Sequence, residues 1–210
     1  MLLKVAITGQ PGSGKSLVTK LFNRKEDVFT LSADRLAHTV MSVNSNIIKD
    51  MFGIPQKVSY KMLVHILRKE VFVNDDMLKK LEEYIHPRVF SLMESQFEIY
   101  ENTLTHGDHL IVVEVPLLYE CGWEKYFDKV VLVKTADYEQ IARLEILREW
   151  EKTEINNRIK RFIPDNNKID MVDYIIDTTC LLCDLELQVD DLYVNLSLDL
   201  EEKSESNNPR

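Results

Sequence analysis

The strongest constraint in this sequence is the octet Gly9-Gln10-Pro11-Gly12-Ser13-Gly14-Lys15-Ser16, which matches G-x-x-x-x-G-K-[ST] in full. It falls between an apolar run, Leu2 to Thr8, and a helical pattern, Ser16 to Arg24, as a phosphate-binding loop requires. Backbone N–H groups must converge on a phosphate there, so Gly9, Gly12 and Gly14 supply unusual torsions and close approach. The helix that follows aims its positive end at the anion. Lys15 then brings a point charge to the β- and γ-phosphates, and the Ser16 hydroxyl suits Mg²⁺. Half of the chain's six glycines lie in this loop, more than a plain turn needs. The expected ligand is a nucleoside triphosphate, ATP, with Mg²⁺, held by Gly12, Ser13, Gly14, Lys15, Ser16 and Leu17.

Around the loop, near-continuous apolar runs predict buried parallel strands at Leu2 to Thr8, Val28 to Ser32, Leu110 to Val115 and Val130 to Val133, with a weaker fifth at Tyr174 to Ile176. Helical patterns at Ser16 to Arg24, Ala136 to Leu147 and Leu181 to Leu196 alternate with them. The fold class implied is α/β: a three-layer phosphate-loop NTPase fold with a mostly parallel central sheet. Residues 1–35 and 110–200 would form the nucleotide-binding core. Residues 36–109 break the alternation and read as a helical, acceptor-binding insertion, because roughly seventy residues exceed a simple crossover. Within it Pro87 is expected to open a new helix running to about Tyr100. Residues 143–164 include a polar, largely basic helix, Arg148 to Pro164, which reads either as a solvated face or as a lid closing on phosphates. Residues 201–210 are polar and charged and read as a disordered tail.

A net charge of −9 argues against nucleic acid or an anionic membrane as partner, and no apolar run is long enough to span a bilayer. The expected location is the cytoplasm, as a monomer or small homo-oligomer. Three cysteines make no disulfide framework. Cys180 and Cys183 form a C-x-x-C without a second ligand pair, and their apolar surroundings predict buried, inert thiols.

Two strings compete for a switch-type nucleotide hydrolase: Asp50-Met51-Phe52-Gly53 and Asn167-Lys168-Ile169-Asp170. The first should leave a strand but follows a helical stretch, and the second should follow a buried strand but follows Arg161 to Asn166. Both are rejected on context. A kinase needs instead a carboxylate at the carboxyl end of a strand. Asp34, just past the second strand, fits a general base for the acceptor hydroxyl and equally an N-cap for a helix Arg35 to Met41. Glu114 ends the third strand, where a carboxylate is costly unless a cation is near; it fits Mg²⁺ held through water, or an edge facing solvent.

Taken in order, these pieces resemble the dephospho-coenzyme A kinase family from about Leu2 to Leu196. The resemblance rests, beyond the loop, on Ser32-Ala33-Asp34-Arg35-Leu36-Ala37, Phe52-Gly53, Val71-Phe72 and His86-Pro87-Arg88-Val89. Its most specific part is Val115-Pro116-Leu117-Leu118-Tyr119-Glu120. Phe127 to Val133, Gln140-Ile141-Ala142-Arg143-Leu144 and Asp173-Tyr174-Ile175-Ile176-Asp177 follow. It implies ATP-dependent phosphorylation of the ribose 3′-hydroxyl of dephospho-coenzyme A, with Asp34 and Lys15 catalytic. It further implies Arg143 and Arg148 as lid arginines on ATP, and His86 and Leu117 as acceptor contacts; a helix break capped by the imidazole reads His86 equally well. The chain departs from the family pattern at Ser32 (aspartate), Val64 (arginine), Glu149 (aspartate) and Phe162 (glutamine). Another small-molecule kinase with a nucleoside or nucleotide acceptor, or a nucleotide-binding regulatory protein without turnover, are the competing readings.

Overall fold

A computed structural model describes residues 1–71, 73–103 and 108–206. Phe72, part of the Val71-Phe72 pair, lies outside the described residues, as do residues 207–210 of the tail. The chain divides into two units, residues 1–32 with 100–210, and residues 33–99.

The first unit is built on five parallel strands: β1 (Leu2–Thr8), β2 (Val28–Ser32), β3 (His109–Glu114), β4 (Lys129–Lys134) and β5 (Tyr174–Asp177). Their order is β2-β3-β1-β4-β5. The chain builds outward on opposite sides of β1, so the crevice for a ligand opens at the carboxyl end of that strand. Strand residues of one parity, Leu3, Val5, Ile7, Val112, Val131 and Val133, pack beneath α1 (Lys15–Phe22) and the C-terminal helix. Those of the other parity, Ala6, Ile111, Val113 and Leu132, are buried as completely, so both faces of the sheet are covered.

The second unit carries α2 (Ala33–Val43), α3 (Ser45–Met51), α4 (Tyr60–Ile66) with a π-turn over Leu67–Val71, and most of α5 (Asp75–Thr103). Helix α2 begins directly on the end of β2, so Asp34 stands in its first turn rather than at an N-cap ahead of Arg35. The expected helix start at Pro87 is also corrected: α5 is one helix with Pro87 inside it. An interior proline costs about 3 kcal/mol. Leu78, Leu81, Ile85, Val89, Met93 and Phe97 are all buried, a stripe at three- and four-residue spacing that runs through the proline and offsets that cost.

Back in the first unit follow α6 (Asp137–Arg148), α7 (Lys152–Ile159), the single turn α8 (Asp165–Lys168) and α9 (Leu182–Ser206). The basic stretch Arg148 to Pro164 is therefore not one helix. Glu149 adopts φ 55, a left-handed residue that ends α6, and α7 begins afresh at Lys152. The C-terminal helix is longer than its apolar pattern suggested and takes in residues 201–206, the start of the supposed disordered tail. Cys180 and Cys183 are exposed rather than buried, as are Leu181 and Leu182, because this apolar run lies where the chain turns from β5 into α9. No described helix is long and apolar enough to cross a membrane.

Candidate functional site

The loop leaves β1 between β3 and β4, and three positive-φ glycines shape it: Gly9 (φ 143), Gly12 (φ 80) and Gly14 (φ 94). Gly9 is the tightest, since a Cβ there would sit 2.1 Å from the Val133 carbonyl oxygen of the neighbouring strand. Alanine at Gly9 must displace backbone, so Gly9→Ala is expected to lose about 3 kcal/mol or more of stability. Thermal unfolding will show this as a large drop in Tm, whereas Gly53→Ala, with open space around it, should cost far less.

Lys15 opens α1 and is 6% exposed, an unusual burial for an ammonium. Its Nζ donates to the carbonyls of Gly9 and Gln10, both at 2.8 Å, which holds the charge at the rim of the loop. Gln10 also accepts the N–H of Ser13 at 3.2 Å. Ser13 is buried, and its carbonyl takes the Thr178 hydroxyl at 2.8 Å. Leu17, in the first turn of α1, is exposed.

Ser16 Oγ donates to Glu114 Oε1 at 2.8 Å. Glu114 ends β3 and pairs with Ile7 on one side and Ser32 on the other, at the carboxyl edge of the sheet. The sequence placed both residues near Mg²⁺, and the structure brings them together. A serine hydroxyl and one carboxylate are hard oxygen donors, the sparse protein set Mg²⁺ takes when phosphates and water complete the shell. Among the described residues, no three His, Cys, Asp or Glu side chains form a metal cage of their own.

Two loop supports, Gln140 and Thr178, were missed from the sequence. The Gln140 amide donates to Gln10 Oε1 at 3.1 Å and to the Pro11 carbonyl at 2.7 Å. Arg143, three residues on along α6, donates to the Thr178 hydroxyl and carbonyl, each at 2.8 Å, and pairs with Glu139 at 3.2 Å. Its guanidinium thus braces Thr178 behind the loop. Arg148, at the end of α6, is exposed. Thr178 was findable as the residue just past a strand's carboxyl end; Gln140 sat beside Arg143 in a recognised piece but carried no chemical cue.

Leu117, past the end of β3, is partly exposed, while the adjacent Leu118 is fully buried. Tyr119 donates its hydroxyl to the Met171 carbonyl at 2.7 Å, and burial, then Glu124 and Asp173, push its pKa up to about 12. Asp50 lies inside α3 and Lys168 inside α8, as the rejection of both switch-like strings requires.

In the second unit, Asp34 is exposed in the first turn of α2, and His38 follows one turn later on the same face. The Tyr60 hydroxyl donates to the His38 carbonyl at 3.0 Å and lies 3.3 Å from its Nδ1. A pocket of about 80 Å³ is lined by His38, Met41, Val64, Leu67 and Arg68. Where the family pattern has an arginine and this chain has Val64, Arg68 one turn on lines the same pocket. His86 is half-buried within α5 and ends no helix; burial lowers its pKa against the opposing pull of Glu82.

A model of the dephospho-CoA kinase family matches residues 3–183. The dephospho-CoA kinase of Chlamydia caviae is 30% identical over 200 residues, covering 93% of this chain and 96% of that protein. Among solved structures, TT1252 from Thermus thermophilus superposes with a TM-score of 0.76 at 28% identity, covering 92% of this chain and 97% of that one. The dephospho-CoA kinase of Campylobacter jejuni shares the fold with a TM-score of 0.69 at 22% identity, over 95% and 99% of the two chains.

Proposed function

This chain belongs to the dephospho-CoA kinase family, and we propose that it transfers the terminal phosphoryl group of ATP to the ribose 3′-hydroxyl of dephospho-CoA, giving CoA and ADP. The observation that carries phosphoryl transfer is the Ser16–Glu114 pair beside the buried Lys15, at the carboxyl end of β1 and β3. Family membership supplies the acceptor.

In this reading the loop amides and Lys15 hold the β- and γ-phosphates and offset charge that builds on the transferred group. Ser16, and Glu114 through water, would hold Mg²⁺, whose charge would offset that of the phosphates. Asp34 accepts the 3′-hydroxyl proton as the oxygen–phosphorus bond forms and the bond from the γ-phosphorus to the ADP oxygen breaks. Gly12, Ser13 and Leu17 shape the nucleotide site, and Arg143 orders it from behind. We assign Arg148, with α7, to a lid that excludes water from the transfer. For the acceptor we assign the pocket of His38, Val64 and Arg68, together with His86 and Leu117. We assign the chain to the cytoplasm, a location that water-soluble substrates suit.

The test supplies ATP and Mg²⁺ with dephospho-CoA, with nucleoside monophosphates, and with no acceptor. CoA should form only in the first mixture and stop when the metal is chelated. Phosphorylation of a monophosphate alone would overturn the acceptor, and nucleotide binding without turnover on any acceptor would favour a regulatory protein.

A further inference from the structure

Thr178 and Gln140 are polar side chains only 3% and 6% exposed, and both spend a donor on a carbonyl of the phosphate loop. Gln140 Nε2 reaches the Pro11 carbonyl at 2.7 Å, and Thr178 Oγ1 reaches that of Ser13 at 2.8 Å. A threonine hydroxyl carries one proton. Arg143 donates to Thr178 Oγ1 and to the Thr178 carbonyl, each at 2.8 Å, so the hydroxyl accepts from Arg143 and commits its own proton to Ser13. The Thr178 N–H is held in turn by the Lys134 carbonyl at 2.9 Å, which ties the residue to the end of β4.

In a planar trans peptide, the carbonyl of one residue and the N–H of the next point in opposite directions. Turning the Pro11 carbonyl towards Gln140 therefore turns the Gly12 N–H away from α6. Fixing the Ser13 carbonyl on Thr178 likewise turns the Gly14 N–H to the opposite side. Neither of these two N–H groups has an acceptor among the described residues. Both glycines have positive φ, 80 and 94, and glycine peptide planes reorient easily unless something holds them. Two loop donors thus face away from the side chains packed behind the loop, as an anion in its concavity requires. The packing is equally close: a Cβ on Gly14 would stand 3.1 Å from the Thr178 methyl, and one on Gly12 3.2 Å from Gln140 Cγ.

We propose that Thr178 and Gln140 are positioning residues for ATP. They fix the Ser13 and Pro11 peptide planes, and so keep the Gly14 and Gly12 N–H groups aimed at the phosphates before the nucleotide arrives. Arg143 contributes by committing the Thr178 proton to the loop. The proposal rests on the reading that this loop binds ATP, and extends it to side chains that act only through the loop.

The test measures affinity for a non-hydrolysable ATP analogue and for inorganic triphosphate, and steady-state kinetics with dephospho-CoA, in the full chain. Thr178→Val keeps the shape packed against Gly14 and removes only the hydroxyl. It should weaken the analogue and triphosphate alike about tenfold and raise the KM for ATP in step, with the KM for dephospho-CoA within about twofold. Thr178→Ser keeps the hydroxyl and should hold both affinities to within about threefold of wild type. A purely packing role predicts the reverse order, with valine, the closer match in shape, binding as wild type and serine impaired. That order, or unchanged affinity in folded Thr178→Val, overturns the proposal. Loss for the analogue without loss for triphosphate also overturns it, since the phosphates are the groups concerned. If Thr178→Val does not fold, Gln140→Met decides: it keeps the length and removes the donor to Pro11, so both ligands should weaken about fivefold, and unchanged binding refutes the idea. Should wild type bind the analogue but leave dephospho-CoA unphosphorylated, the acceptor reading fails while the binding comparison still decides this one. A wild type that binds neither ligand overturns the ATP reading and this inference with it.

Discussion

Lys15→Met is expected to lower kcat for CoA formation by about 10³-fold while leaving the protein folded. Methionine nearly matches lysine in length and removes only the charge. What is lost is the ammonium held at 2.8 Å from two loop carbonyls, at the mouth of the helix that faces the phosphates. Folding should hardly suffer. The Gln10 carbonyl keeps the Ser13 N–H, and removing a buried charge also removes its desolvation penalty. A Tm within a few degrees of wild type, with kcat reduced far more than the KM for dephospho-CoA, is the expected pattern. Wild-type kcat in Lys15→Met would exclude the loop as the site of transfer. A collapse in Tm would instead mark Lys15 as structural, through its two carbonyl contacts.

How much of this was legible in the sequence depends on how local each cause is. The strand Leu2–Thr8 stands where its apolar run ends, buried on both faces, and the edge strand Val28–Ser32, buried only at Val28, also matches its run. The loop was equally plain, since its glycines serve torsions that neighbouring residues cannot adopt. Pro87 misled because a local helix-start signal was outweighed by a buried stripe from Leu78 to Phe97, which exists only in three dimensions. Cys180 to Cys183 misled for the opposite reason: apolar neighbours suggest burial, but Leu181 is 71% exposed at the turn into α9. Lys168 was the least legible. It stands in a polar run and reads as surface, and only Glu120, on a distant segment, explains how an ammonium can be buried there. The pairing of Ser16 with Glu114 lies between these extremes. Strand ends were identifiable, so both residues could be assigned to one edge, but the hydrogen bond itself needed the strand order.

The residue that strand ends alone do not decide is Asp34, which could be a base or simply an acid at the start of a helix. Asp34→Asn separates the two by magnitude. A carboxylate in the first turn of α2 complements the helix dipole, and that effect is about 0.3–1 kcal/mol, visible only as a small shift in Tm. A general base is a different order of effect: losing it should cost about 10²–10⁴-fold in kcat. Asparagine is nearly isosteric and can still accept a hydrogen bond, so the acceptor should bind with a KM within about threefold, and the change should fall on the chemical step. ATP affinity should also hold, because in this reading the loop amides and Lys15, not Asp34, bind the phosphates. Solvent exposure of Asp34 suits either role, so Asp34→Glu adds a second discrimination. Glutamate serves the helix dipole as well as aspartate does, yet it moves the carboxylate by a methylene. A base held to hydrogen-bond distance should lose at least tenfold from that displacement. Full activity in Asp34→Asn would leave Asp34 a helix-start residue and require another acceptor for the 3′-hydroxyl proton. Full activity in Asp34→Glu alone would show that its carboxylate needs no fixed position, contrary to direct proton transfer.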